Sequence, residues 1–163
     1  MRHLLYRLGQ YRRARHDRPS EEGLRLARAA LSPQLFELFS RMLPFEQAHA
    51  IRVYQGLAAA GQHDPDLLAA GLLHDIGKVR RPLRPWERSL AVIVRALLPQ
   101  KFAQWGQAQP TLLTAGVVVG ARHAEWGAQM AAEAGASMRL VRLIRQHDAE
   151  IESFGEEDRE MLS

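Results

Sequence analysis

Four of the seven histidines in this 163-residue chain fall into two matching frames. The stretch 49–75 opens with His49-Ala50 and closes with His74-Asp75, and the stretch 123–148 opens with His123-Ala124 and closes with His147-Asp148. Taken singly, His49 or His123 reads as an ordinary surface or core histidine. The repetition is what points to chemistry. Imidazole nitrogens with carboxylate oxygens suit Mn, Fe, Co, Ni or Zn, whereas Mg and Ca prefer oxygen shells. Such a metal lowers the pKa of a bound water toward neutrality and so makes a hydroxide nucleophile. Adjacent His74 and Asp75 point about 100° apart on a helix. They share one ion only near a helix end, or face two ions with Asp75 bridging.

Two helical hairpins would position these groups. Each frame holds a helix, a turn containing Gly61 or Gly135, and a second helix with its own N-terminal cap, Asp64 or Ser137. In an antiparallel hairpin the start of the first helix lies beside the end of the second. His49 is thereby expected near His74 and Asp75, and His123 near His147 and Asp148. If both hairpins pack with these ends together, the side chains converge on one or two metal ions. His3, His16 and His63 lie outside the frames.

The rest of the chain reads as helical. Ser20 before Glu21 and Glu22 opens one helix, and Ser32-Pro33 opens the next, which ends at Pro44. A helix from about Phe45 is expected to reach a cap at Gly61, and one from Asp64-Pro65 to end near Gly77. Pro82, Pro85, Pro99 and Pro110 break residues 79–110 into a loop and short helices. Val117-Val118-Val119 favours a strand locally. A lone strand has no partner, so 111–119 is assigned to a helix, followed by helices over about 124–135 and 137–147. No period-two alternation supports a sheet, and the fold class is all-α.

Composition narrows the function. With 47% hydrophobic residues the chain can bury one domain-sized core. With no cysteine there are no disulfides, thiolate metal sites or cysteine nucleophiles, so any metal rests on His, Asp or Glu. The formal charge is +4, and all basic residues except Lys78 and Lys101 are Arg. This balance favours anionic substrates or surfaces. Basic residues crowd the first 18 positions and acidic ones the segment from Asp148 to Glu160. Neither a secretory signal nor a transmembrane-length apolar run is present, which leads to a cytoplasmic expectation.

The run Leu72-Leu73-His74-Asp75-Ile76-Gly77-Lys78 resembles the signature of the HD superfamily of metal-dependent phosphohydrolases. His49-Ala50-Ile51-Arg52-Val53 is similar to that family's first-histidine helix, and His123-Ala124-Glu125-Trp126-Gly127-Ala128 to the segment carrying a further ligand in two-metal members. The resemblance spans about 45–150. It implies a helical HD-domain bundle built on the two His-bearing hairpins. His49, His74 and Asp75 would ligate one divalent transition metal, and His123 and His147 a second, with Asp75 bridging. Asp75 and Lys78 are the implied catalytic residues. Arg52, Lys78, Arg80 and Arg81, with Arg84 nearby, are candidates for contacting substrate phosphate. A solvated helix residue is the competing account of Arg52, and a solvated loop that of Arg80, Arg81 and Arg84. The implied function is hydrolysis of a phosphate ester on a small phosphorylated or nucleotide-like substrate. Residues 1–43 are read as a basic helical extension packed on the core, and 44–163 as the HD domain, ending short of its C-terminal helix.

The chain departs from the family pattern at three places. Gln146-His147 stands where two-metal members often carry two successive histidines. The Gly-Tyr-Pro element of the cyclic-di-nucleotide phosphodiesterase branch is absent, so that substrate is not assigned. The family's late Asp has no clear match, leaving Asp148, Asp158 or a residue beyond the chain end. This last departure supports a second reading, a metal-binding or regulatory HD domain without turnover. Trp86 to Trp105, an apolar segment with interspersed Arg88, Arg95 and Lys101, is further consistent with peripheral contact to an acidic membrane. Ordinary packed helices with solvated arginines are the competing account. The oligomeric state is left open.

Overall fold

A computed structural model describes residues 17–147. The basic residues from Arg2 to Arg15 and the acids Asp148 and Asp158 lie outside the described residues. Among those described there is no strand. The helices are α1 (Glu21–Ala30), α2 (Pro33–Ser40), α3 (Pro44–Ala59), α4 (Pro65–Leu73), a 3-10 helix (Ile76–Arg80), α5 (Pro85–Leu97), α6 (Pro99–Gly106), α7 (Ala115–Glu133) and α8 (138–147).

Local chemistry sets most of the boundaries. Ser20, Ser32, Asp64 and Ser137 each accept a hydrogen bond from the backbone N–H three residues on, at 3.0–3.3 Å. Pro33, Pro44, Pro65, Pro85 and Pro99 open helices where a missing N–H costs nothing. Gly61 and Gly135 close the two hairpin turns at φ +80° and +81°, a region that side-chain-bearing residues avoid. Two buried acids add caps that the local sequence pattern does not reveal. Glu46 accepts from the Leu43 N–H at 3.2 Å and Glu87 from the Arg84 N–H at 2.6 Å. Glu46 also pairs with Arg88 at 2.8 Å, tying α3 to α5.

The apolar core draws Leu35 and Phe39 from α2, Ile51 from α3, Leu72 and Leu73 from α4, Ala128 and Ala131 from α7, and Leu140 and Ile144 from α8. Ala27 of α1 joins the same cluster. The second helices of the two hairpins run side by side in the same direction. Their starts are linked by Arg139 to Asp64 at 2.5 Å and by Ser137 to Asp66 at 2.8 Å. Their ends bring the His74 and His147 rings to 5.2 Å.

One sequence expectation needs correction. Residues 111–119 and 124–135 are not separate helices; α7 runs unbroken from Ala115 through Gly120 to Glu133. His123 therefore sits well inside a helix, not at its start. The second half of α7 meets α8, His123 against His147, Glu125 with Arg145 and Gly127 against Ile144. The first half carries α5 and α6 against it, burying Val117, Val118 and Val119. That burial outweighs the modest helix cost of β-branched residues. The expected helix end near Gly77 also moves: α4 stops at Leu73 and the chain tightens into the 3-10 helix.

Candidate metal centre

That tightening solves the geometric problem posed by adjacent His74 and Asp75. His74 keeps helical dihedrals, but Asp75 turns to φ −95°, ψ 3° at the start of the 3-10 helix. Both side chains then reach the same centre, with His74 Nε2 3.6 Å from Asp75 Oδ2. From α7, His123 Nε2 lies 3.5 Å from the other oxygen, Oδ1. His123 and His147 face each other Nε2 to Nε2 at 3.2 Å. The His49 ring meets the His74 ring edge-on at 5.4 Å. The ligand atoms of His49, His74 and Asp75 lie within 4.8 Å of one another, and so do those of Asp75, His123 and His147. Asp75 belongs to both groups and directs one oxygen toward each.

Three imidazoles are locked in one tautomer. Nδ1–H of His74 donates to the Gly71 carbonyl at 2.9 Å, that of His147 to Ile144 at 2.7 Å, and that of His123 to Gly120 at 3.0 Å. Each acceptor is a carbonyl three residues earlier on the same helix. Because a carbonyl only accepts, each Nε2 presents its lone pair to the centre. Two such lone pairs 3.2 Å apart repel unless a proton or a metal cation lies between them. The donor set therefore fits a divalent metal, and the two groups could hold one or two ions.

The electrostatics agree with this reading. Burial pushes His74 down to about 4, against the pull of the Asp75 charge. His49, at the exposed rim, is lowered first by desolvation. Burial alone would raise Asp75, but Lys78, His74 and His123 together hold it well below the usual carboxylate range. Lys78 Nζ is 2.5 Å from Asp75 Oδ1. Near neutral pH His74 is thus a neutral imidazole beside the Asp75 carboxylate anion, the forms that bind metal. In metal-free protein, stability is expected to fall as pH drops below 6.5, where an unfolded histidine takes up a proton that folded His74 refuses until about 4. Denaturant titrations across that window check this; a flat profile rules it out.

The arginines expected to contact substrate engage other groups. Arg52 pairs with Asp17 at 3.0 Å, Arg80 lies over the Trp126 ring at 5.4 Å, and Arg81 approaches Glu87 at 3.8 Å. Lys78 instead lines a cleft of about 50 Å³ together with Arg41, Arg88 and Glu46. Sequence reasoning did not single out Arg41 and Arg88 as neighbours of Lys78 in this cleft. Neither belongs to a motif, and only folding brings the α2–α3 turn and α5 to the same cleft.

Gly77 permits the whole assembly. A Cβ there would lie 1.9 Å from the His123 carbonyl oxygen and 2.7 Å from the Gly127 nitrogen. The 3-10 helix consequently rests directly on the α7 backbone, which is how Asp75 comes within reach of His123. Gly77 shows no positive φ, so its role is close approach rather than helix capping.

The family model for the HD domain matches residues 47–162, well over half of the chain. The chain belongs to the HD domain family. All five residues of the His/Asp centre fall within the matched region of this HD domain. Helices α1 and α2 precede the match yet share its apolar core. No curated protein and no solved structure matches the chain. HD domains bind divalent metals and are mostly metal-dependent hydrolases, and the His/Asp groups here could serve that chemistry.

Proposed function

We propose that this HD domain hydrolyses a phosphate ester on a small anionic, nucleotide-like substrate. The reading rests on one observation: His74 and His123, each fixed through Nδ1, direct Nε2 toward the two oxygens of a single buried aspartate, and His147 faces His123 Nε2 to Nε2 beside them. His49, His74 and Asp75 would hold one ion, and Asp75, His123 and His147 a second. When bound, such ions supply a hydroxide nucleophile at neutral pH and polarise the phosphoryl oxygens. Asp75, common to both groups, would serve either ion. Lys78, beside Asp75, offers its ammonium to the developing negative charge on phosphate. Arg41 and Arg88 make the adjoining cleft electropositive, favouring a phosphate or a second anionic group. Glu46 holds Arg88 in place, and the Arg88 guanidinium packs over the Phe45 ring at 5.1 Å.

Protein purified without chelator is expected to carry one or two equivalents of a first-row transition metal by elemental analysis. It is expected to hydrolyse an aryl phosphate ester or members of a nucleotide panel. Chelation should abolish turnover and lower the melting temperature. Metal restored to about 100 times its Kd should return about 2.7 kcal/mol of stability. Bound metal with no turnover across the panel would identify a metal-binding regulatory domain. Absence of both metal affinity and turnover would refute the proposal.

A further inference from the structure

We propose that the α5–α6 hairpin, with the segment leading into α7, is a docking face for an anionic lipid surface. The proposal is independent of the hydrolase reading. Of the nine large apolar side chains left exposed among the described residues, seven lie between Trp86 and Leu113. Leu97 and Leu98, at the turn between the two helices, are 66% and 50% exposed; Leu112 and Leu113, just before α7, are 63% and 68% exposed. Exposed apolar side chains are ordinarily scattered over a soluble protein, so this concentration marks an interaction surface. Trp86, in the first turn of α5, and Trp105, in the last turn of α6, are also partly exposed. Tryptophan combines an apolar body with a polar N–H and favours the boundary between water and hydrocarbon.

Charge selects the occupant. Beyond Arg88, which Glu46 engages in the cleft, the stretch up to Glu125 holds Arg95, Lys101 and Arg122 and no Asp or Glu. The Arg95 guanidinium lies over the Phe102 ring at 5.6 Å, joining α5 to α6. Lys101 is exposed on α6, one turn from Trp105. A second copy docked through the same face would set these cations against their own counterparts. The basic first 18 residues would meet the same repulsion. A bilayer rich in anionic headgroups supplies both an opposite charge and an apolar layer for the leucines. No helix among the described residues is long and apolar enough to cross a membrane, so the contact is peripheral.

Co-sedimentation of the full chain with phosphatidylglycerol-containing vesicles, and with pure phosphatidylcholine vesicles, tests the idea. Binding is expected to be about tenfold or more stronger to the anionic vesicles and to weaken with added salt. In a Trp126→Phe variant, Trp86 and Trp105 fluorescence should shift to the blue on binding. The paired substitutions L97S/L98S and, separately, L112S/L113S should each cut partitioning about tenfold, with an unchanged thermal melt showing that the fold persists. Lys101→Glu should weaken binding to anionic vesicles more than to neutral ones. Absence of co-sedimentation at low salt overturns the proposal. So does self-association abolished by L97S/L98S without vesicle binding, which would make the face an interface between copies. Occupation of the face by the chain's own acidic residues after His147 would also appear as absence of binding, and it would overturn the proposal equally.

Discussion

Asp75→Asn is expected to abolish turnover and to remove bound metal together, because one carboxylate belongs to both candidate ion groups. The substitution keeps size and shape while removing the negative charge. Asp75 Oδ2 faces His74 and Oδ1 faces His123, so each group loses its only anionic member among the described residues. Losing about 4 kcal/mol of transition-state stabilisation lowers the rate roughly a thousandfold. Metal stoichiometry should drop toward zero in the same samples. Lys78 loses its partner at 2.5 Å but is partly solvent-accessible, so the fold should survive and circular dichroism should remain helical. Wild-type metal content in the variant would show that the ions, if any, sit elsewhere. Retained metal with lost turnover would confine Asp75 to the chemical step.

Among the described glycines, Gly77→Ala is expected to be the most damaging alanine substitution, ahead of Gly116, whose Cβ would lie 2.1 Å from the Glu87 carbonyl oxygen. The Cβ added at Gly77 would overlap the His123 carbonyl carbon and oxygen and the Gly127 nitrogen, at 2.8, 1.9 and 2.7 Å. All three are backbone atoms, so relief requires moving the 3-10 helix away from α7. Overpacking of this kind typically costs about 1–3 kcal/mol, and the expectation here is about 3 kcal/mol, read as a lowered denaturation midpoint with unchanged slope. The same movement draws Asp75 away from His123. A displacement of about 1 Å at a reacting centre can cost about a hundredfold in rate. Gly56→Ala is the matched control. No atom lies within 4 Å of a Cβ there, and the residue is inside α3. Alanine should stabilise that helix by about 0.8–1.0 kcal/mol. Equal effects at the two positions would show that the Gly77 contact does not constrain the fold.

Helix starts were legible because their causes are local: a serine or aspartate side chain reaches the third amide on, and proline fixes the first residue. Gly61 and Gly135 were legible as turns for the same reason. The candidate ligands were legible through their repetition in two frames. The joining of 111–119 to 124–135 in one helix was not, because a glycine at 120 and the β-branched run Val117 to Val119 disfavour a long helix locally, and burial of those valines under α5 and α6 offsets that cost. The engagements of Arg80 with Trp126 and of Arg81 with Glu87 could not be foreseen, since an exposed arginine has many partners within reach and sequence spacing does not rank them.

From the sequence alone came an all-helical chain with two turns, a set of imidazoles and acids at regular places, and membership of a family that pairs them with metals. Whether those side chains meet depended on tertiary packing. The salt link and the hydrogen bond between the starts of α4 and α8, with the apolar core between the hairpins, set the two helix ends side by side. The contact of Gly77 with the α7 backbone then brings Asp75 to His123. Caps and turns arise from neighbours a few residues apart, so they are written along the chain. A centre assembled from residues 49, 74, 75, 123 and 147 depends on which surfaces bury one another, and that is decided only when the helices pack.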